Sequence, residues 1–167
     1  MYYEPKPQNR KPQILTAVSV AAGSAVFLLA PILPAWQAIL QAAAIVLFGV
    51  GLYYSLRYVM TSFSYAIEPS DGAGGEDLVV RKSQGRRIEI IEARLALDEM
   101  VCFTPLERGK IGKDVRAKYP AMRVYNYTVT YRPDGAYLAV FVDAADNVIG
   151  VILEPNAEMV TLFRENK

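Results

Sequence analysis

The sequence predicts a membrane anchor joined to a mainly β domain, with a transmembrane α-helical hairpin at the N-terminus and an α-helix at the C-terminus. Residues 12–56 contain no Asp, Glu, Lys or Arg, although these four types make up 21% of the chain. After Met60, apolar and polar residues alternate as they do in half-buried strands. Close to the C-terminus the apolar residues return to helical spacing. These three observations define the fold class.

Two apolar runs in the uncharged segment predict helices over about residues 14–33 and 36–58, within a hairpin that covers residues 14–60. At 1.5 Å per residue, each is long enough to cross the roughly 30 Å hydrocarbon core of a bilayer. Prolines at 31 and 34 predict a tight turn between them. No cation lies in the turn, whereas four flank the outer ends: Lys6, Arg10, Lys11 and Arg57. The positive-inside rule therefore predicts a multi-pass protein of the inner (plasma) membrane with both termini in the cytoplasm.

Residues 1–13 are polar and contain three prolines, which predicts a short disordered cytoplasmic tail. A cleavable signal peptide is the alternative, but the first apolar run is long and a second follows it at once. No charged side chain lies in either apolar run, residues 14–33 and 36–56, which disfavours a transporter or pore. Small residues suited to close helix packing are Ala17, Ala21 and Ala25, which recur every four residues, and Gly49 in the second helix.

Residues 61–167 predict seven strands and one helix. The apolar runs that predict strands are 62–69, 77–82, 86–92, 95–103, 124–132, 137–143 and 148–154. Between the fourth and fifth runs, residues 106–123 predict a basic loop with a helical turn near 114–119. Asn156 is a suitable N-cap for a C-terminal helix over 156–166, whose Met159, Leu162 and Phe163 would cover the sheet.

Charge and composition exclude several classes of function. Residues 61–167 carry 14 cations and 16 acids, a net charge of about −2, which argues against nucleic-acid binding. The chain has no histidine and one cysteine, Cys102, so we expect no metal, no cofactor and no catalysis. Asp143 with Asp146 could form a carboxylate pair, but acids at turns are ordinary surface residues. A serine–lysine hydrolase needs no histidine, yet the serine spacing does not support one.

Two basic segments are candidates for binding anionic lipid headgroups or a protein partner. The first is a predicted hairpin that carries Arg81, Lys82, Arg86 and Arg87. The second carries Lys110, Lys113 and Arg116, whose spacing could place three cations on one helical face. The alternatives are a solvated turn that protects a sheet edge from aggregation, and a plain polar loop.

Three stretches, Asp77–Lys82, Arg94–Met100 and Gly150–Pro155, carry a family resemblance. With the order of elements, they make the chain resemble bacterial membrane proteins that carry a pleckstrin-homology-like domain on the cytoplasmic side. The resemblance implies a seven-stranded barrel closed by the C-terminal helix. Such domains include lipid-binding, peptide-binding and scaffolding members, so the fold alone does not determine function.

The sequence thus predicts a non-catalytic membrane protein that presents a binding or scaffold module at the cytoplasmic face. Its partners would be the bilayer, anionic lipid headgroups, a protein partner or a second copy of the chain. The alternative is an accessory subunit of a larger membrane complex, bound through the helical hairpin.

Overall fold

A computed structural model describes residues 1–70, 74–85, 88–107, 109–131 and 133–165. The chain forms two compact units. One is the hairpin, Asn9–Thr61, and the other, the β domain, combines Met1–Gln8 with Ser62–Lys167. The hairpin is therefore inserted into the β domain between its first eight residues and the remainder.

The hairpin consists of α1 (Lys11–Leu29) and α2 (Gln37–Tyr54), joined by the 3₁₀ turns Ala30–Ile32 and Pro34–Trp36. Pro12 lies in the first turn of α1, where its missing N–H has no cost. One π-helical turn, Ser55–Val59, extends α2. With these extensions the helices span Lys11–Ile32 and Pro34–Val59, each long and apolar enough to cross a membrane. The predicted pair of helices is confirmed, with ends shifted by a few residues.

Small residues form the contact between α1 and α2, but they differ from the predicted ones. An added Cβ on Gly23 would lie 3.1 Å from the Phe48 ring, and one on Gly51 would lie 3.2 Å from the Val20 side chain. Ser19 and Ala44 are buried in the same contact. The predicted packing residues Ala17, Ala21, Ala25 and Gly49 are instead exposed.

The difference between the two sets of residues has a geometric cause. Residues spaced by four advance about 40° around an α-helix at each step, so the row drifts away from a straight partner. Apart from Ala22, the buried or half-buried positions of α1 are 12, 16, 19, 23 and 26, followed by 30 just after the helix. They alternate steps of four and three, which keeps them on one side. The hairpin therefore packs through a different face from the alanine row.

The β domain contains eight strands and two helices among the described residues. In chain order these are β1 (Tyr2–Tyr3), β2 (Thr61–Pro69), β3 (Glu76–Gln84), β4 (Ile88–Ala96), β5 (Met100–Pro105), α3 (Lys113–Lys118), β6 (Arg123–Asn126), β7 (Tyr137–Val142), β8 (Val148–Leu153) and α4 (Ala157–Glu165). They form two four-stranded sheets, β1-β2-β3-β4 and β5-β7-β8-β6. β6 pairs with β8 in parallel, and the other described registers are antiparallel.

The main core contains residues from both sheets and from α4. Tyr65, Phe141, Met159 and Phe163 are almost completely buried in it. The Asn156 side chain caps α4, because its Oδ1 accepts a hydrogen bond from the Met159 N–H at 2.9 Å. The predicted C-terminal helix, its cap and its buried residues are confirmed, with Leu162 half-buried.

A second apolar cluster covers the opposite face of the second sheet. Leu138 and Val140 of β7 are buried there, and Ile111, Val115 and Met122 pack against the cluster from the segment around α3. A Cβ on Gly150 would lie 2.7 Å from the Met122 sulfur, so any larger residue here would displace the Met122 side chain. Burial of both faces explains why β7 and β8 are nearly continuous apolar runs instead of alternating ones.

Two predicted strands differ from the structure. The run 95–103 is broken by a 3₁₀ turn, Leu97–Glu99, so that Leu95 ends up in β4. The run 124–132 is a strand only as far as Asn126, whose Oδ1 accepts a hydrogen bond from the Thr128 N–H at 2.9 Å and turns the chain. Residues 127–130 are buried without belonging to a strand.

The N-terminal segment was predicted to be disordered, but it is part of the β domain. Tyr2 and Tyr3 form β1 opposite Ala66 and Tyr65 of β2. Pro5 is buried, and the Gln8 N–H donates to the Thr130 hydroxyl at 3.2 Å. Tertiary pairing orders a segment whose composition alone favours disorder.

Candidate binding surfaces of the β domain

Acidic side chains neutralise the described part of the first basic segment. Arg81 forms an ion pair with Glu68, and the Lys82 Nζ lies 2.9 Å from a Glu92 carboxylate oxygen. Arg86 and Arg87 lie outside the described residues. The two described cations therefore contribute less positive potential than the sequence suggests.

Strand register produces these ion pairs. Glu68 lies on β2, Arg81 on β3 and Arg94 on β4, and Arg94 approaches both Glu68 (3.4 Å) and Asp77 (3.6 Å). The carboxylate of Asp77 is nearly buried, whereas the other three groups are partly exposed. Charges that are distant in sequence thus form one network across the first sheet, which favours a structural role for Arg81.

The second basic segment remains exposed. Lys110, Lys113 and Arg116 are all solvent-exposed, and no ion pair involves them within the described ranges. Lys110 and Lys113 line an open cavity of about 610 Å³ between the end of β5 and the start of α3, together with Glu107 and Asp114. Arg116 lines a different cavity of about 300 Å³. The three predicted cations lie on one segment, but they do not converge on one site.

A groove that the sequence did not predict lies between β4 and β6, which are edge strands of different sheets. It holds a cavity of about 360 Å³, a volume within the range of small-ligand pockets. Six of its eight lining residues are apolar or aromatic; the lining consists of Glu92, Ala93, Arg94, Leu95, Tyr125, Tyr127, Ile149 and Val151. We call this feature the edge groove.

Exposed apolar side chains also occur on both edge strands. Ile90 and Ile91 of β4 are 53% and 55% exposed, and Val124 and Tyr125 of β6 are 42% and 44% exposed. β4 contains a bulge, since Val80 pairs with Ala93 and Arg81 pairs with Ile91. Glu92 is the extra residue.

Tyr127 is the most buried of the residues with a polar side-chain group that line the edge groove. Burial raises the pKa of its hydroxyl, and the negative charges of Glu92 and ionised Tyr125 raise it further. Its ring stacks on that of Tyr125, with centroids 6.3 Å apart. The groove therefore combines a neutral phenol, aromatic faces and the Glu92 carboxylate on the opposite strand.

The other sequence candidates show structural roles. Cys102 is half-buried and packs against the second apolar cluster. The Asp143 carboxylate accepts hydrogen bonds from the Asn147 side chain and from the backbone N–H groups of Asn147 and Ala145, which lower its pKa and fix the β7–β8 turn. In the part of the chain that the structure describes, no three His, Cys, Asp or Glu side chains form a group suited to a metal ion.

Comparisons with known proteins identify no relative. No family model matches the chain, and neither the curated proteins nor the solved structures include a significant match. The structure itself defines the class of protein: an apolar helical hairpin is inserted into the sequence of a two-sheet β domain that has a C-terminal helix.

Proposed function

We propose that this chain is a non-catalytic integral membrane protein whose β domain is a binding or scaffold module at the cytoplasmic face. The observation that carries the proposal is the insertion of the hairpin between β1 and β2, which pair with each other in one sheet. Both ends of the hairpin must therefore leave the membrane on the side where the β domain folds. The cations beside the helix ends indicate the cytoplasmic side.

In this proposal the β domain is a seven-stranded pleckstrin-homology-like barrel formed by β2–β8, with β1 added at an edge. The strands β2–β8 and the buried C-terminal helix support this part of the proposal. Because the described cations of the first basic segment are ion-paired, protein recognition is favoured over headgroup recognition there. The exposed Lys110 and Lys113 remain the better candidates for contact with anionic lipid.

The alternative function is that of an accessory subunit held in a larger membrane complex by the hairpin. The exposed row Ala17, Ala21 and Ala25 favours it, because small residues outside the α1–α2 contact are available to a third helix. The same row could join two copies of this chain.

One comparison separates the two functions. The double variant A21L/A25L and the wild type are each purified in mild detergent from native membranes, and the co-purifying proteins and lipids are identified by mass. If the hairpin is the interface, the double variant loses a stoichiometric membrane partner. If the β domain is the working surface, the double variant retains its partners, whereas substitutions in the β domain remove them.

The structure supplies the control for this comparison. Ala21 and Ala25 are exposed in the hairpin, so leucine there leaves the α1–α2 contact intact. Gly23→Leu places a side chain against Phe48 and the Ala44 carbonyl, and we expect it to disrupt the hairpin itself. A partner lost in Gly23→Leu alone reports hairpin damage and does not indicate an interface at the alanine row.

A second measurement tests the lipid partner. Amide hydrogen exchange around residues 109–118 is compared between nanodiscs of neutral and of anionic lipid. Contact with anionic headgroups predicts slower exchange in the anionic discs, and K110S/K113S should remove the difference. Equal exchange in both discs would exclude lipid contact at this segment.

A further inference from the structure

We infer that the edge groove binds an extended peptide segment of another protein, which pairs its backbone with β4 and places an apolar side chain in the cavity. The inference rests on the proposed function as a binding module and specifies the class of partner.

The backbone of β4 and β6 indicates a strand-like partner. β4 pairs with β3 and β6 pairs with β8, so each is the edge strand of its sheet and has a row of N–H and C=O groups along its outward side. An extended chain is the ligand whose own backbone satisfies a row of such groups.

The same domain already stabilises an extended segment at another edge. β1 lies along β2, and the Ile67 N–H donates to the Met1 carbonyl at 2.8 Å. The Tyr3 ring packs 6.3 Å from the Tyr65 ring, so backbone pairing and side-chain packing act together there. An added strand on β4 would repeat this arrangement at the opposite edge of the same sheet.

The cavity determines which side chain the partner inserts. Tyr125, Tyr127 and the aliphatic residues around them form an apolar wall, and about 360 Å³ accommodates one large apolar side chain. The two charged lining residues already have ion-pair partners: Glu92 pairs with Lys82, and Arg94 pairs with Glu68 and Asp77. The groove therefore favours an aliphatic or aromatic residue over a charged one.

The bulge in β4 favours a flexible peptide over a second copy of the domain. Glu92 is inserted between the paired residues Ile91 and Ala93, which bends and twists the strand. Two rigid copies of a bulged edge pair poorly with each other, a common protection against aggregation. A peptide can follow the bend and still bury the exposed Ile90 and Ile91.

The test is a selection of short random peptides, displayed on phage, against the full-length protein in nanodiscs. We expect enriched peptides with apolar residues at alternate positions and no central proline. Synthetic copies should bind Ile91→Lys and Tyr125→Ala about tenfold more weakly than the wild type. Both substituted residues are well exposed, and circular dichroism checks that the variants fold.

Two controls make the result specific. Val101→Lys introduces the same lysine at an exposed residue of β5, the far edge of the second sheet, and should not change binding. Methylation of alternate backbone nitrogens in the peptide should abolish binding, because it removes the donors that pair with β4. Methylation at the intervening nitrogens should have a much smaller effect.

The inference is overturned if no peptide is enriched, if Ile91→Lys binds as tightly as the wild type, or if methylation has no effect. If substitution of Lys110 and Lys113 removes peptide binding, the peptide does not bind in the edge groove. The β domain would still be a binding module, as proposed. If a partner is lost only in A21L/A25L, the β domain is not the binding module. Failure of the groove and failure of the proposed function therefore give different results.

Discussion

Glu154 shows how single residues fix the part of the β domain that is not regular sheet. Its buried carboxylate accepts hydrogen bonds from the Thr130 N–H at 2.7 Å and from the Thr130 hydroxyl at 2.9 Å. The Tyr65 hydroxyl donates to the Tyr127 carbonyl and accepts from the Glu154 N–H. The Tyr127 N–H still donates to the Ile152 carbonyl of β8, and beyond it side chains take the place of the strand ladder.

Removing the Thr130 hydroxyl should loosen the N-terminal segment. This hydroxyl bridges the Gln8 N–H and the Glu154 carboxylate. Thr130→Val keeps the side-chain volume but leaves both groups short of a partner, which should lower the free energy of unfolding by about 1–3 kcal/mol. Urea titration of the purified protein, followed by circular dichroism, measures the change.

The matched control is Thr161→Val on the exposed face of α4, where the hydroxyl donates to the Ala157 carbonyl. We expect an effect within about 0.5 kcal/mol there. Equal stability of Thr130→Val and Thr161→Val would show that the buried bridge contributes nothing. Faster proteolysis within residues 1–8 of Thr130→Val would confirm that the bridge holds this segment.

At the scale of elements, the segment around α3 is a structural cover as well as a basic surface. Ile111, Val115, Tyr119 and Met122 pack on the outer face of the second sheet, while Lys110, Lys113 and Arg116 are exposed. The sequence prediction was based on the cations. It did not use these four apolar residues, which follow each other at spacings of four, four and three. The uninterrupted apolar runs of β7 and β8 were the signal, because a strand apolar on both faces needs a cover on each.

A charge on the packed face of α3 should detach this cover. In Val115→Asp, a carboxylate would face Leu138 and Val140, and burying it unpaired costs more than releasing the segment. We expect faster tryptic cleavage at Lys110, Lys113 and Lys118 while the rest of the domain persists. Mass spectrometry of the fragments locates the cuts.

Ala117→Asp is the control for this substitution, since Ala117 is exposed on the same short helix. Its cleavage rate should match that of the wild type. If Val115→Asp is cleaved no faster than Ala117→Asp, the segment is not held by its apolar residues.

Elements with a strong pattern could be predicted, and those fixed by distant partners could not. The two helices, most of the strands after them, and α4 with its Asn156 cap follow from hydropathy, alternation and capping. β1 has only two residues and no period of its own, so only its pairing with β2 reveals it. The edge groove was likewise unpredictable, because sequence does not show which strands lie at sheet edges.

At the scale of the whole molecule, the order of elements along the chain determines how the hairpin is connected to the β domain. The β domain begins before the hairpin and resumes after it, so two chain crossings join the units. The sequence alone suggested a hairpin followed by a domain, with a loose tail in front. Pairing of β1 with β2 instead places the residues on both sides of the hairpin in a single fold.

This connectivity predicts a topology that thiol labelling can check. In a Cys102→Ser background, single cysteines replace Lys6 before the hairpin, Leu33 in its turn and Ala145 in the β7–β8 turn. All three positions are exposed. If the hairpin spans the bilayer, an impermeant maleimide should label Lys6→Cys and Ala145→Cys in inside-out membrane vesicles, and Leu33→Cys in right-side-out vesicles.

The pattern of labelling distinguishes the possible arrangements. Labelling of Lys6→Cys and Ala145→Cys from opposite sides would contradict the pairing of β1 with β2, since one folded sheet cannot lie on both sides of a membrane. Labelling of all three from the cytoplasmic side would mean that the hairpin does not cross. Labelling of Leu33→Cys alone from outside fixes both termini in the cytoplasm and exposes the edge groove to cytoplasmic partners.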